Sequence, residues 1–244
     1  MTKVTGVIQA RLTSIRLARK ALLPLAGRPV THHLFDRAMR IQGVDDLVLA
    51  IPTGEANDPL EEATAAYPHI KVVRGPDDDL VTRFLMAADL TGADIIVRMW
   101  GDCPVTDPDL ATALLQVAFT TGAAWAHYPN DSGYPEGLES HVLRVDALRA
   151  LAAESDDMYE RENIIPFFLR QPERFPILEL RRQPNRNHLK CLLDTGHDYN
   201  RITRIFDILY PDHPDFGLAD LEALAEQQPE LFDPTHRITA RSNG

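Results

Sequence analysis

Short apolar runs alternate with longer amphipathic segments through the first half of the chain. The runs predict strands at Val4 to Ala10, Asp46 to Ile51, Ile70 to Val73, Asp94 to Trp100 and Trp125 to Tyr128. The amphipathic segments predict helices at Pro29 to Ile41, Pro59 to Ala66, about Leu80 to Thr91, and Pro108 to about Gly122. Strands of this length that alternate with helices are typical of βαβ units. The pattern therefore predicts an α/β fold with a mostly parallel sheet flanked by helices.

The second half of the chain is less regular. Prolines and glycines interrupt residues 129–145, where only Gly137 to Arg144 alternates like a strand. Such an excursion is typical of a hairpin, a lid or an arm that reaches a second subunit. Beyond it the pattern predicts a helix at Met158 to Arg170, strands at Pro176 to Arg182 and Leu189 to Leu193, and helices at Tyr199 to Leu209 and Ala219 to Gln227.

The totals narrow the class of protein. With 244 residues and 44% apolar residues, the chain fits a single domain over residues 1–244 with a substantial core. No apolar run is long enough for a membrane span, and the first residues lack the zones of a secretory signal. A net charge of −11 argues against a protein that coats nucleic acid or an anionic membrane. Cys103 and Cys191 form no zinc spacing and no disulfide framework, so we expect a reducing cytoplasm.

The first predicted strand leads into a basic loop that contains Arg11, Arg16, Arg19 and Lys20. A basic loop at the carboxyl edge of a parallel sheet suits a polyphosphate. Neither the Walker pattern nor the dinucleotide fingerprint is present, so side chains rather than a glycine nest would hold the phosphates. Ser14 could donate a further hydrogen bond. The alternative is a solvated loop without a ligand.

Two carboxylates follow predicted strands directly, Asp102 after DIIVRMW and Asp194 after LKCLL. The ends of parallel strands gather at one edge of a sheet, so we expect these two side chains to lie close together. A pair of carboxylates with phosphate oxygens and water suits Mg²⁺. The alternative is that each aspartate caps the turn or helix that follows it.

Other polar residues give weaker indications. Asp77 and its two neighbours precede an apolar helix, which favours a helix cap at Asp77 over a metal cluster. Arg74 ends a strand on the expected ligand edge. Glu136, Glu139 and His141 lie in the irregular segment and could line a substrate pocket, although exposed loop charges are the commoner case.

The segment IQARLTSIRLARKALLPLAGRPV resembles the opening motif of the cytidylyltransferases, approximately QARxxSxRLxxKxLxxLxGxP. The likeness is greatest to the spore coat polysaccharide biosynthesis protein F-like branch, related to the enzymes that make CMP-Kdo and CMP-sialic acid. It continues through VVRGPDDDLVTRF, ADIIVRMWGDCPVTDPDL, YPEGLESHVL, ERENIIPFFLRQPERF and HLKCLLDTGHDYN. Together these motifs extend from residue 4 to about residue 210.

The resemblance implies a nucleotide-diphospho-sugar-transferase-like fold of the GT-A type. It also implies a reaction in which CTP and an acidic sugar or related small acceptor give a CMP-conjugate and pyrophosphate. The matching loop residues that would hold the nucleotide are Gln9, Ala10, Arg11, Ser14, Arg16 and Lys20. Asp102 and Asp194 would carry Mg²⁺, with Lys20 and Arg16 as their catalytic partners. Arg74 and the segment Asp78 to Arg83 would lie near the nucleotide, and Trp100 near the base. The stretch Gly137 to Val142 would form the acceptor pocket and part of a homodimer interface.

Some positions depart from the family pattern. Relatives commonly carry a small residue at position 13 and Pro-Gly at positions 18 and 19, where this chain has Thr13, Ala18 and Arg19. Trp100 replaces a small or polar residue, and His141 replaces an acidic one. Two other functions stay open on the sequence: a GT-A glycosyltransferase that uses a nucleotide-sugar donor, and a degenerate nucleotide-binding subunit.

Overall fold

The computed structural model describes residues 2–233 and has the predicted alternation of strands and helices. The strands are β1 (Val4–Gln9), β2 (Pro24–Leu25), β3 (Arg28–Pro29), β4 (Asp46–Pro52), β5 (Ile70–Gly75), β6 (Ile95–Trp100), β7 (Trp125–His127), β8 (His141–Arg144) and β9 (Ile177–Glu179). The helices are α1 (Val30–Ala38), α2 (Asp58–Glu62), α3 (Leu80–Thr91), α4 (Pro108–Thr121), α5 (Val145–Glu154), α6 (Met158–Asn163), α7 (Ile165–Leu169), α8 (Gly196–Leu209) and α9 (Leu218–Gln227). Within residues 2–233, none of these helices combines the length and apolar character needed to cross a bilayer.

One large sheet organises the described part of the chain, with strand order β5-β4-β1-β6-β8-β7-β9. The strands β5, β4, β1 and β6 are mutually parallel, whereas β8 runs antiparallel to both of its neighbours. The register places Gln9 at the end of β1 beside Trp100 at the end of β6. The prediction of a mostly parallel sheet flanked by helices is confirmed.

Apolar side chains cover both faces of this sheet. Ile8 and Leu49 pack on one face with Leu34 and Phe35 of α1. Val7 and Val48 point to the opposite face, where α3 and α5 cover them. Because both faces are buried, the parallel strands are apolar throughout rather than alternating, as the sequence shows. A third group of apolar residues joins α8 and α9 to the sheet edge that carries the loops.

The irregular segment connects two antiparallel strands, β7 and β8. Its backbone is fixed by contacts with residues 187–192, including an isolated bridge between Glu136 and Lys190. Gly137 has φ of 103°, and a Cβ there would lie 2.6 Å from the backbone of Cys191 and Leu192. A glycine is therefore required where these two segments touch.

The single helix predicted from Met158 to Arg170 is wrong. Two short helices, α6 and α7, occupy this range and are separated by Ile164, whose φ is 65°. Pro166 stands in the first turn of α7, where its missing N–H does no harm, and it could not have continued a longer helix. The proline therefore begins a new helix.

Two further differences lie in the second half of the chain. The strand predicted at Leu189 to Leu193 is absent from the described sheet. Instead, Cys191 donates its N–H to the carbonyl of Glu136, and Leu193 donates to that of Asp102, so this extended segment links two loops. Helix α5 was not predicted, because it begins directly after β8 without a glycine or proline between them.

Candidate active site

A cavity of about 770 Å³ opens at the carboxyl ends of β1 and β6. This is the edge at which open α/β sheets bind ligands. The predicted site residues that line it are Gln9, Ala10, Arg11, Ser14, Arg16, Lys20, Trp100 and Asp102. The basic loop and the end of β6 therefore meet at one place, as the strand order requires.

Gly101 allows the two loops to touch. Its N–H donates to the carbonyl of Gln9 at 2.8 Å, and a Cβ at this position would lie 2.7 Å from the Cβ of Ala10. A larger residue would push the loop after β6 away from the basic loop. The close approach brings Asp102 within reach of Lys20.

Four predicted residues form one cluster, which we call the carboxylate–cation cluster: Arg16, Lys20, Asp102 and Asp194. The Lys20 Nζ lies 2.6 Å from Asp102 Oδ2 and 3.4 Å from Asp194 Oδ1. The Arg16 Nη1 lies 2.7 Å from Asp194 Oδ2. Asp102 and Asp194, which lie 92 positions apart in the sequence, are thus joined through a lysine that is only 14% exposed.

The donors of this cluster fit a divalent cation. Asp102 and Asp194 direct one oxygen each toward the same ammonium group, so a cation at that point has two carboxylate ligands. No group of three or more His, Cys, Asp or Glu side chains suited to a metal occurs in residues 2–233. Two carboxylates that need phosphate oxygens and water to complete the shell match Mg²⁺ better than a metal held by protein alone.

The basic loop contains a strained residue at a position where the family pattern has glycine. Arg19 has φ of 54° and ψ of 27°, and its carbonyl accepts the N–H of Leu22 at the start of the turn that holds Lys20. The left-handed conformation costs a residue with a Cβ about 1–2 kcal/mol. The departure from Pro-Gly therefore leaves the turn in place, with strain at Arg19.

Trp100 lies on a buried arginine. The Arg98 Cζ is 4.6 Å from the centroid of the Trp100 ring, and the Arg98 Nε donates to Gln9 Oε1 at 2.8 Å. The ring of His141 packs edge-on against the ring of Trp100, with ring centroids 4.7 Å apart. The aromatic ring is thus held in a fixed orientation at the cavity wall.

The helix cap expected at Asp77 is instead Asp79, whose carboxylate accepts the N–H of Thr82 at 2.9 Å. Asp77 lines the cavity, and its carboxylate lies 3.2 Å from Arg11 Nη1. Arg161 of α6 donates to Asp79 Oδ2 at 2.8 Å, which ties α6 to the start of α3. Burial opposes ionisation of Asp79, but hydrogen bonds from Thr82 and Arg161 hold its pKa below the usual value.

The structure does not bring Arg74 to the cavity. Its guanidinium pairs with Asp58 at 2.7 Å and with Glu61 at 2.6 Å. Strand β5, which carries Arg74, lies two strands away from β1, or roughly 10 Å at ordinary strand spacing. The sequence located Arg74 at the correct edge of the sheet but could not give its distance from the cavity.

Glu136 and Glu139 line a second, smaller cavity of about 180 Å³ beside the irregular segment. Burial raises the pKa of Glu139, although its carboxylate accepts the N–H of Gly137 at 2.6 Å. His141 does not line either cavity; it is buried on β8, and burial lowers its pKa well below the usual value. Of the three residues, two therefore lie where a substrate could reach them.

Sequence reasoning missed part of the cavity. Arg98, Glu162 and Asn163 line it, as does Arg83, which was expected only as the end of a segment near the nucleotide. Arg98 had a usable signal, because it is the only charged residue within the buried strand IIVRMW. A charge in a buried strand is rare unless it has a partner or a ligand. Glu162 and Asn163 gave no such signal in the sequence, because α6 reaches the cavity only through its tertiary contact with α3.

Comparisons with known proteins find relatives that extend over nearly the whole chain. A family model described as cytidylyltransferase matches residues 5–232. The spore coat polysaccharide biosynthesis protein SpsF of Bacillus subtilis is 27% identical over 246 residues, which covers 94% of this chain and 97% of SpsF.

Two solved structures share the fold. A cytidylyltransferase from Leptospira borgpetersenii serovar Hardjo-bovis superposes with a TM-score of 0.89 at 24% identity, over 96% of this chain and 98% of that chain. A CMP:2-keto-3-deoxy-manno-octonic acid synthetase complexed with CTP superposes with a TM-score of 0.64 at 18% identity, over 84% and 99% of the two chains. These similarities confirm the nucleotide-diphospho-sugar-transferase-like fold predicted from the sequence.

Proposed function

The chain belongs to the cytidylyltransferase family, and from this premise we propose that it couples CTP to an acidic sugar or a related small acceptor. The products are a CMP-conjugate and pyrophosphate. The observation that carries the proposal is the carboxylate–cation cluster, in which Lys20 lines the cavity and contacts both Asp102 and Asp194.

The proposed reaction is an in-line displacement at the α-phosphorus of CTP. A hydroxyl oxygen of the acceptor forms the new bond to phosphorus, and the bond between the α-phosphorus and the oxygen bridging to the β-phosphate breaks. That oxygen leaves with the electron pair as part of pyrophosphate, and the hydroxyl proton passes to solvent. Transfers of this kind depend mainly on positioning and on stabilisation of charge, so no dedicated base is required.

The cations of the loop stabilise the leaving group. In the structure Lys20 and Arg16 contact carboxylates, and both line the cavity. When a triphosphate binds, these cations donate to its oxygens, where charge increases as pyrophosphate leaves. Ser14 and Arg11 of the same loop hold the phosphates in place as further donors.

The residues that would hold Mg²⁺ are Asp102 and Asp194. When bound, the ion neutralises phosphate charge and orients the phosphate oxygens. Lys20 contacts both carboxylates in the structure, so an ion held by them would require Lys20 to move away from that position.

We further propose that the acceptor lies toward the smaller cavity beside residues 137–142. The same segment, within 129–145, is proposed as the arm of a homodimer of the single domain 1–244. Sedimentation equilibrium of the whole chain tests the dimer, and a monomer at micromolar concentration would contradict it.

The two cysteines are free and buried, which suits a reducing cytoplasm as the site of the reaction.

A pyrophosphate-release screen tests the proposed function. Four nucleoside triphosphates are each combined with a panel of acidic sugars and phosphonates in the presence of Mg²⁺. We expect release with CTP and at least one acceptor. In a parallel reaction that contains a nucleotide-sugar in place of the triphosphate, release of free nucleoside diphosphate without pyrophosphate would instead identify a glycosyltransferase. No turnover and no heat of CTP binding by folded protein would indicate a degenerate subunit.

A further inference from the structure

Two buried arginines line the cavity away from the carboxylate–cation cluster. Arg83 is 5% exposed and Arg98 is 6% exposed, and both contribute to the cavity wall. Within residues 2–233, neither guanidinium has a carboxylate within ion-pair distance. We call these two residues the guanidinium pair.

Some N–H groups of the guanidinium pair have no hydrogen-bond acceptor among the described residues. Arg83 reaches the carbonyls of Ala50 and Asp77 at 3.4 and 3.2 Å, and its Nε is buried with no partner among the described residues. Arg98 donates only through Nε, to Gln9; its outer nitrogens have no partner within residues 2–233. Its guanidinium lies instead over the rings of Trp100 and Phe84.

Burial makes the charged form of both Arg83 and Arg98 less favourable. Burial and, to a smaller extent, the neighbouring charge of Arg83 lower the pKa of Arg98 to about 9, although Asp102 opposes the effect. Burial likewise lowers the pKa of Arg83. A buried charge without a partner destabilises a fold, so such groups are normally paired or face a ligand.

Other buried arginines show how the same chain satisfies such a group. Arg37 is 4% exposed and also lies over an aromatic ring, Phe216. Its two outer nitrogens donate to the carbonyls of Thr106 and Phe216, and it does not line the cavity. Arg37 and Arg98 therefore differ in what their outer nitrogens face. Those of Arg37 face two carbonyls, whereas those of Arg98 face the cavity.

We propose that Arg83 and Arg98 form an oxyanion subsite, separate from the carboxylate–cation cluster, that receives negatively charged oxygens of a bound substrate. A guanidinium presents parallel N–H groups that match a carboxylate or a phosphate. The oxygens come from one of two sources, a phosphate of the nucleotide or the acid group of the acceptor. The identity of these sources rests on the proposed function, whereas the subsite rests on the two arginines.

Titration calorimetry with Arg98→Gln tests the subsite, and Arg37→Gln is the matched control. The probes are inorganic pyrophosphate, CTP with Mg²⁺, 3-deoxy-manno-octulosonate, and cytidine as an uncharged reference. We expect Arg98→Gln to weaken binding of at least one anionic probe by about 10-fold or more, the scale of a lost charged hydrogen bond. We expect cytidine binding to be unchanged, and Arg37→Gln to bind every probe as the wild type does.

The choice of probes distinguishes the nucleotide phosphates from the acid group of the acceptor as the source of the bound oxygens. Weaker binding of pyrophosphate and CTP assigns the subsite to the nucleotide phosphates, and weaker binding of the sugar acid alone assigns it to the acceptor. Wild-type affinity for all three anions in folded Arg98→Gln overturns the proposal, as does an equal loss of cytidine binding or a wild-type protein that binds no anion. If Arg98→Gln does not fold, Arg83→Gln carries the same test.

Failure of the proposed function gives a different result. A wild-type protein that releases no pyrophosphate with any nucleotide and acceptor would contradict the cytidylyltransferase reaction. Anion binding that depends on Arg98 would still support the subsite in that case. Conversely, normal pyrophosphate release with unchanged anion binding by Arg98→Gln would leave the reaction intact and remove the subsite.

Discussion

The two charged regions of the cavity are built in opposite ways. In the carboxylate–cation cluster each cation contacts a carboxylate, and both cations line the cavity. In the guanidinium pair both cations are buried, and their acceptors among the described residues are neutral: the backbone carbonyls of Ala50 and Asp77 and the side-chain amide of Gln9. The first region can exchange one set of partners for another when substrate binds, whereas the second gains a charged partner only when substrate is present. Matched charges thus suit a site where groups move during the reaction, and unmatched ones suit a fixed receptor.

The largest effect is expected from loss of a carboxylate in the cluster. Asp102→Asn keeps the size of the side chain but removes the charge that faces Lys20. We expect turnover to fall by about 100-fold or more, the scale of losing a main electrostatic group. Pyrophosphate release under saturating CTP and Mg²⁺ measures it, with Asp89→Asn, a surface ion-pair variant, as control. Turnover near that of the wild type would exclude Asp102 from metal binding and catalysis.

Replacement of Lys20 should remove the cation that the two aspartates of the cluster share and leave Arg16 in contact with Asp194 alone. Lys20→Met removes the ammonium that contacts both carboxylates, so Asp102 and Asp194 then repel each other. We expect turnover to fall about 10- to 100-fold because the leaving group loses a cation.

The same variant should bind Mg²⁺ more tightly than the wild type when no nucleotide is present. The reason is that Lys20, the cation that contacts both carboxylates, no longer has to be displaced; Arg16 contacts Asp194 alone. Calorimetry with Mg²⁺ alone measures this change, and Lys71→Met, at a surface lysine, is the control. An Mg²⁺ affinity no greater than that of the wild type would show that the carboxylates do not converge on a cation site.

Stability should distinguish matched from unmatched buried arginines. Arg37→Gln leaves the carbonyls of Thr106 and Phe216 without donors, so we expect a loss of about 2 kcal/mol in the free energy of unfolding. Arg98→Gln removes a buried charge that has no carboxylate partner, so we expect a change of about 0.5 kcal/mol or less, or a gain. Urea unfolding of the two variants measures both, and equal losses would contradict the contrast.

A smaller loss of stability than that of Arg37→Gln is expected at the ion pair of Asp79 and Arg161. The pKa of Asp79 is lower in the folded chain than the ordinary value of 3.8, so ionised Asp79 stabilises the fold above that pH. This contribution is lost as the pH falls through the folded pKa. We expect Asp79→Asn to cost about 1 kcal/mol at pH 7, typical of a lost cap, and progressively less below about pH 4. Urea unfolding at several pH values measures it, and a cost independent of pH would show that the charge is unimportant.

The regular half of the fold could be predicted because its signals are local. Helix α3 was predicted at about Leu80 to Thr91 and extends over Leu80–Thr91 in the structure, where Asp79 and Gly92 lie at its two ends. Helix α5 was not predicted, even though Val145, Leu148 and Leu151 lie on its buried side. The extended segment 189–193 could not be predicted correctly, because its hydrogen bonds go to two loops far away in the sequence.

The candidate site divides in the same way. The sequence by itself determined that Asp102 and Asp194 follow predicted strands and that Lys20 belongs to a basic loop, and this was enough to name all three as candidates. Only the tertiary structure decided their distances: it joined these three residues, and it left Arg74 with Asp58 and Glu61 on an outer strand. It also decided that Arg98 has no carboxylate partner within the described chain while Arg37 has carbonyls. The type of side chain is a local property, but its partner and its burial depend on residues that lie far apart along the chain.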